Sequence, residues 1–284
     1  MIADPLEDPT LRGLAAEHLP AQLSSEGRRF LRDLLRNERP PTQIVVGSLR
    51  ALGHVRDREA LPLMLRFGQD ENAEIAQAAI TALTDLGDGS VAPMLVRIAH
   101  HVGADHTLRL QAAGALLRIG GNGYRSLLRN YLEQGPLPLR LLALEHLIAS
   151  GTATDDLLAM LASPDWPATL RLRLIDYFAG DQAAAPILEY VLAANSDQVQ
   201  LRALAAEALG HMQWSAALPM LAELAEQADT PAELRLRCIG ALQQIGGNSA
   251  WIVLSRVAEA SDLSPVVRDQ ALHALRSVGE LQST

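Results

Sequence analysis

Apolar residues make up 49% of the 284 residues and aromatics only 4%, which allows a sizeable core and suits helices packed through Ala and Leu better than sheets. All 24 basic residues are arginine, so a P-loop lysine, a Schiff-base lysine and a lysine general base are excluded. The net charge of −9 repels a phosphate backbone and argues against broad nucleic-acid binding.

The opening MIADPLEDPT is acidic and lacks the charged-then-apolar order of a signal peptide, and no run approaches eighteen apolar residues. A cytoplasmic location without membrane insertion is expected. Residues 1–24 form an N-terminal segment with a short capping helix expected at 10–18. The next stretch, SSEGRRFLRDLLRNERPP (24–41), sets Arg28, Arg29, Arg32, Arg36 and Arg39 against Glu26, Asp33 and Glu38. It reads as the polar outer face of a first repeat, with Phe30, Leu31, Leu34 and Leu35 turned inward; contact with an acidic surface or membrane is the other reading.

From there a pattern recurs. Val45, Ala76, Arg109, Arg140, Arg171, Arg202, Arg235 and Arg268 follow one another at steps of 31 or 33 residues, each preceded by an aliphatic residue. Offsets −1, +3, +4, +6, +7 and +10 from the anchors carry the apolar letters, which places them on one wide helical arc. Shorter apolar segments between the anchors, such as ALPLMLRF (60–67) and ALPMLAELA (217–225), predict a first helix in each unit. Gly87-Asp88-Gly89, Gly120-Gly121-Asn122 and Gly246-Gly247-Asn248 supply helix-ending turns. Thr230-Pro231-Ala232-Glu233 reads as a capping box, and Ser264-Pro265 repeats its start. At offsets +1 and +8, facing the next unit, Leu110 and Leu117 are apolar whereas Asp269 and Arg276 of the last unit are polar, as a terminal repeat requires.

Two helices per 31–33 residues imply a solenoid. The letters resemble the HEAT-like repeats of the phycobilisome-lyase type: an aliphatic-Arg pair, small residues, Ala-Leu, then Gly or Ile-Gly, as in LRALAAEALG (201–210) and VRDQALHALRSVG (267–279). The resemblance implies an all-α, right-handed α-solenoid of about eight two-helix repeats over residues 25–280, with 281–284 as a tail. Val45 and Ala76 depart from the anchor arginine, and the first two units are expected to stack differently from the rest.

The anchor arginines Arg109, Arg140, Arg171, Arg202, Arg235 and Arg268 are expected to form a structural ladder, their stems along the apolar face and their guanidinium groups on Asp165, Asp197, Asp229 and Asp262 at the inter-helix turns. The resemblance implies the same role. Offset +5 lies opposite the buried arc and should be the most exposed position. It carries Glu145, Asp176 and Glu207 in consecutive units, between Gly114 and Gly240, which would leave shallow room. An acidic stripe for a basic or helical segment of another protein is expected there, with Arg173 and Arg237 partly neutralising it and Trp166 as an exposed anchor. Trp214 and Trp251 are assigned to packing.

His100, His101, Asp105 and His106 gather in HHVGADH, but at no metal-ligand spacing. The HEAT-like hydroxylases hold iron through His-Glu dipeptides. Here the order is reversed at Glu17-His18 and Glu145-His146. The lone cysteine, Cys238, lies on an apolar face and reads as a buried structural thiol. No cofactor and no catalytic residue is expected. The leading expectation is a non-catalytic scaffold that binds a partner protein on its concave face; the alternative is a subunit of a bilin lyase-like chromophore-attachment enzyme, and a HEAT-like DNA glycosylase is disfavoured by the acidic balance.

Overall fold

The computed structural model describes residues 24–37, 40–101, 105–194 and 198–281. The helix expected at 10–18, Glu17-His18, Glu38, Arg39 and Asp197 lie outside the described residues. The chain divides into two compact units between Thr152 and Ala153. Among its described residues the first holds four hairpins: α1 (Ser25–Asn37) with α2 (Thr42–His54), α3 (Leu61–Phe67) with α4 (Ala73–Leu86), α5 (Ala92–His100) with α6 (His106–Arg118), and α7 (Arg125–Gln134) with α8 (Leu137–Ser150). The second holds four more: α9 (Thr154–Ala162) with α10 (Ala168–Phe178), α11 (Ala185–Ala193) with α12 (Val199–His211), α13 (Leu218–Glu226) with α14 (Ala232–Ile245), and α15 (Gly247–Glu259) with α16 (Pro265–Leu281). No strand occurs among the described residues.

Within each unit the second helices of successive hairpins pack on one another, α2–α4–α6–α8 and α10–α12–α14–α16, while first helices pack against the second helices. This is the α-solenoid arrangement the repeat period predicts. Small side chains make it close. On α12, Leu201 to Ala203, Ala205, Ala206 and Ala208 to Gly210 are all buried, and a Cβ added at Gly210 would lie 2.6 Å from the Ala241 Cα of α14. Gly53 on α2 stands in the same relation to Ala82 on α4, again at 2.6 Å. Both glycines occupy offset +8, the position expected to face the next unit, and the two backbones meet there. Leu110 and Leu117 are likewise buried, and Asp269 and Arg276 are exposed.

The first helices begin in a repeated way. Pro62, Pro93, Pro186 and Pro219 sit in the first turns of α3, α5, α11 and α13, where a missing N–H costs no hydrogen bond. Just before three of them an aspartate accepts a main-chain N–H: Asp57 from Glu59 at 3.0 Å, Asp88 from Ser90 at 2.9 Å and Asp181 from Ala183 at 2.9 Å. Each winds a short 3₁₀ turn into the helix. The Ser90 N–H holds the Asp88 carboxyl below its ordinary range, with smaller help from the Arg58 charge.

One local expectation fails. The capping box at Thr230 does not form: its hydroxyl is buried without a partner, and α14 starts with no side-chain cap. Pro231 directs the chain into the helix by its fixed φ, and the Thr230 carbonyl is used instead, as an acceptor for Arg235 at 2.8 Å.

Candidate functional site

Arg109, Arg171 and Arg202 each donate from Nε to a carbonyl oxygen ten residues upstream, that of Ala99 at 3.2 Å, Leu161 at 2.9 Å and Leu192 at 2.8 Å. Every acceptor is the penultimate residue of a first helix, where the last carbonyls lack intrahelical partners and the dipole is negative. Arg235 reaches the carbonyls of Gln227 at 2.5 Å and Thr230 at 2.8 Å. For Arg235 main-chain oxygens stand where Asp229 was expected, while Asp197, expected for Arg202, lies outside the described residues. Arg171, Arg202 and Arg235 are buried, while Arg140 and Arg268 are half-buried.

Between these arginines Cys238 is fully enclosed. Burial pushes its thiol up to about 12, against the opposing pull of Arg202 and Arg235. The thiol stays protonated, hence poorly nucleophilic.

Of the expected stripe, Asp176 is exposed but Glu145 and Glu207 are only half-buried. Adjacent second helices approach so closely through Ala and Gly that they shade offset +5. Asp176 on α10 and Glu207 on α12 occupy equivalent positions of two packed helices in the second unit; Glu145 belongs to the first unit. Both acidic groups of the second unit meet arginines. Arg173 Nη1 lies 2.5 Å from Asp176 Oδ2 on the same helix, and Arg237 Nη1 reaches from α14 to Glu207 Oε2 at 2.9 Å. The face thus alternates in sign.

Tyr177 stands next to Asp176, at an offset assigned to the buried arc, yet it is 39% exposed. It rests edge-on against Phe178, ring centres 4.8 Å apart. Sequence reasoning missed it, and its hydroxyl, on a mostly apolar arc, was the available signal. Trp166, expected as an exposed anchor, is half-buried, and so are Trp214 and Trp251.

The two glycines beside the stripe differ. Gly240 has open space where a Cβ would be, as expected, but a Cβ at Gly114 would fall 2.4 Å from the His146 ring of α8. Gly114 is a socket, not shallow room. Burial there, with the Arg118 charge second and Glu145 opposing, lowers His146 to about 4. The His146 Nε2 is buried without a hydrogen bond.

The histidine-rich turn is engaged locally. Asp105 accepts the N–H groups of Thr107 at 2.8 Å and Leu108 at 3.3 Å to cap α6, and His106 Nδ1 lies 2.6 Å from the Tyr131 hydroxyl. His100 leans on Tyr124, ring centres 5.7 Å apart. Among the described residues no three His, Cys, Asp or Glu side chains come together as a metal site, and no helix is long and apolar enough to cross a membrane.

A family model described as HEAT repeats matches residues 45–116 and 185–276. Among solved structures, human deoxyhypusine hydroxylase is 20% identical, covering 94% of this chain and 98% of that one with a TM-score of 0.39. The complex of CpcE and CpcF of phycocyanin lyase from Nostoc sp. PCC7120 is 19% identical over 97% of this chain and 92% of that one, TM-score 0.38. An engineered protein is 16% identical over 97% and 86% of the respective chains, TM-score 0.40. No curated protein matches.

Proposed function

The chain belongs to the HEAT-repeat family, and we propose that it is a non-catalytic scaffold holding a partner protein along the face built by its second helices. The observation that carries this reading is the surface of the second unit: Asp176 and Tyr177 stand exposed side by side on α10, and the Glu207–Arg237 pair ties α12 to α14 nearby. An aromatic ring flanked by fixed charges is the usual make-up of a binding hot spot. The helices that present it are already packed, so little ordering entropy opposes docking.

A basic or helical segment fits such a surface. The Arg173–Asp176 pair is largely solvent-exposed and such pairs hold together weakly, so a partner's arginine or lysine can take over the carboxylate. Reversing Glu145, Asp176 and Glu207 to Arg together is the test, read by quantitative mass spectrometry of proteins co-purified from native lysate. The partner enriched by the wild type should fall roughly tenfold, one lost charge-assisted contact being worth about that much. Unchanged recovery by a variant with an intact thermal melt would remove this face from consideration.

A further inference from the structure

We propose that the first unit carries a phosphoryl-binding cleft between α1 and the turn after α2. The cleft has a volume of about 250 Å³ and is lined by four arginines, Arg28, Arg32, Arg56 and Arg58, with two acidic residues, Asp57 and Glu59. This local excess of positive charge stands in a chain of net charge −9. It is independent of the second-helix face.

One arginine is fixed and three are available. Arg32 is 9% exposed; it pairs with the buried Asp57 and, at 2.9 Å, with Glu59. Asp57 is pinned in turn by the Glu59 N–H. These three groups largely satisfy one another. Among the described residues the side chains of Arg28, Arg56 and Arg58 make no hydrogen bond or ion pair, although the Arg58 charge is felt at Asp88.

Arg56 sits in the left-handed region at φ 50. The corresponding position, eleven residues past the anchor, is glycine at Gly87, Gly120, Gly151 and Gly246, with φ of 68, 99, 63 and 68. A non-glycine residue there costs about 1–2 kcal/mol. The other non-glycine residue with positive φ among the described residues, Gln213 at φ 53, has a use for its side chain: its amide donates to the Gln244 carbonyl one repeat on, at 3.4 Å. No such bond accounts for Arg56. An arginine on the cleft wall is what the strained position supplies.

Guanidinium forks match phosphate oxygens two at a time. A dianion balances the excess of two positive charges over the carboxylates, and the volume suits a phosphoryl group with its linking atoms. Ser25, also on the wall, offers a neutral donor. Because the second phosphate proton leaves near pH 6, binding should tighten between about pH 5.5 and 7.5.

The test uses the full chain with ¹⁵N-labelled arginine. Inorganic pyrophosphate is titrated while the Nε–Hε signals are followed, with acetate at matched ionic strength as control. Saturable shifts at Arg28, Arg56 and Arg58 are expected with pyrophosphate and not with acetate. Arg56→Gly should weaken binding about tenfold, the worth of one charge-assisted hydrogen bond, while its melting temperature stays equal or rises, because glycine relieves the backbone; Arg58→Ala should weaken it similarly. Shifts that never saturate, that acetate reproduces, or that survive Arg56→Gly with Arg58→Ala overturn the proposal. A second arm compares inorganic phosphate with a phosphoserine peptide: tighter binding of the peptide assigns the group to a partner's side chain, and equal binding assigns it to free phosphate.

Discussion

At Gly114 and Gly240 the same residue type does opposite work. The space a methyl would need at Gly114 is filled by the His146 ring, whereas Gly240 faces open space. Gly114→Ala should therefore destabilise the chain by about 1–3 kcal/mol through overpacking, and Gly240→Ala should stabilise it by about 0.5–1 kcal/mol by removing backbone freedom from a helix. Denaturant midpoints moving in the same direction for both would contradict this. The His146 ring that fills the socket also carries a pH dependence. Its ordinary value is 6.5 and the fold lowers it to about 4, so between those values the unfolded chain binds a proton that the folded chain refuses. Stability linked to His146 is complete above pH 6.5 and falls as pH drops towards 4, by less than about 1.4 kcal/mol per unit. His146→Leu removes the titration: its stability relative to wild type should rise steadily from pH 7 to 4.5, and a constant difference would sink the assignment.

At the scale of the helix, the aliphatic-Arg anchors made the second helices legible, because burial repeats along them with a fixed period. The partners of those arginines were not legible, since a main-chain carbonyl looks the same at every position and only the end of a first helix leaves one unpaired. Arg202 makes the point testable. Arg202→Met keeps an apolar stem but strands the Leu192 carbonyl, now bonded at 2.8 Å, and should cost about 1.5–3 kcal/mol. Arg202→Lys should recover only part of it, because an ammonium cannot reproduce the planar fork. The close contact of α12 with α14 yields a companion expectation: Gly210→Ala drives a methyl towards main chain at 2.6 Å, which no side-chain rotation relieves, and it should destabilise more than Gly114→Ala in the same denaturation series. The aspartate caps at Asp57, Asp88 and Asp181 escaped sequence reasoning because a three-residue turn has no periodicity to reveal it, and Thr230 misled it because a proline can start a helix without help.

For the molecule as a whole, the repeat register makes Asp176 and Glu207 equivalent, but equivalence does not set exposure. How far a neighbouring helix closes over a position depends on its own alanines and glycines, which lie about thirty residues away in sequence. That is why Tyr177 emerged and Glu207 partly sank. Charge adds a long-range property that no single position carries: 33 acidic residues against 24 arginines leave a field that draws in a basic partner before any contact forms. Added salt shortens the reach of that field to about 8 Å at physiological ionic strength, and steering acts on association more than on dissociation. The association rate of the partner recovered with the wild type should thus fall roughly tenfold or more between about 30 and 300 mM salt, with little change in its dissociation rate, when followed by stopped-flow fluorescence. An association rate indifferent to salt would mean that the partner is caught by apolar contact around Tyr177 rather than by charge, and the acidic residues would lose their role in capture.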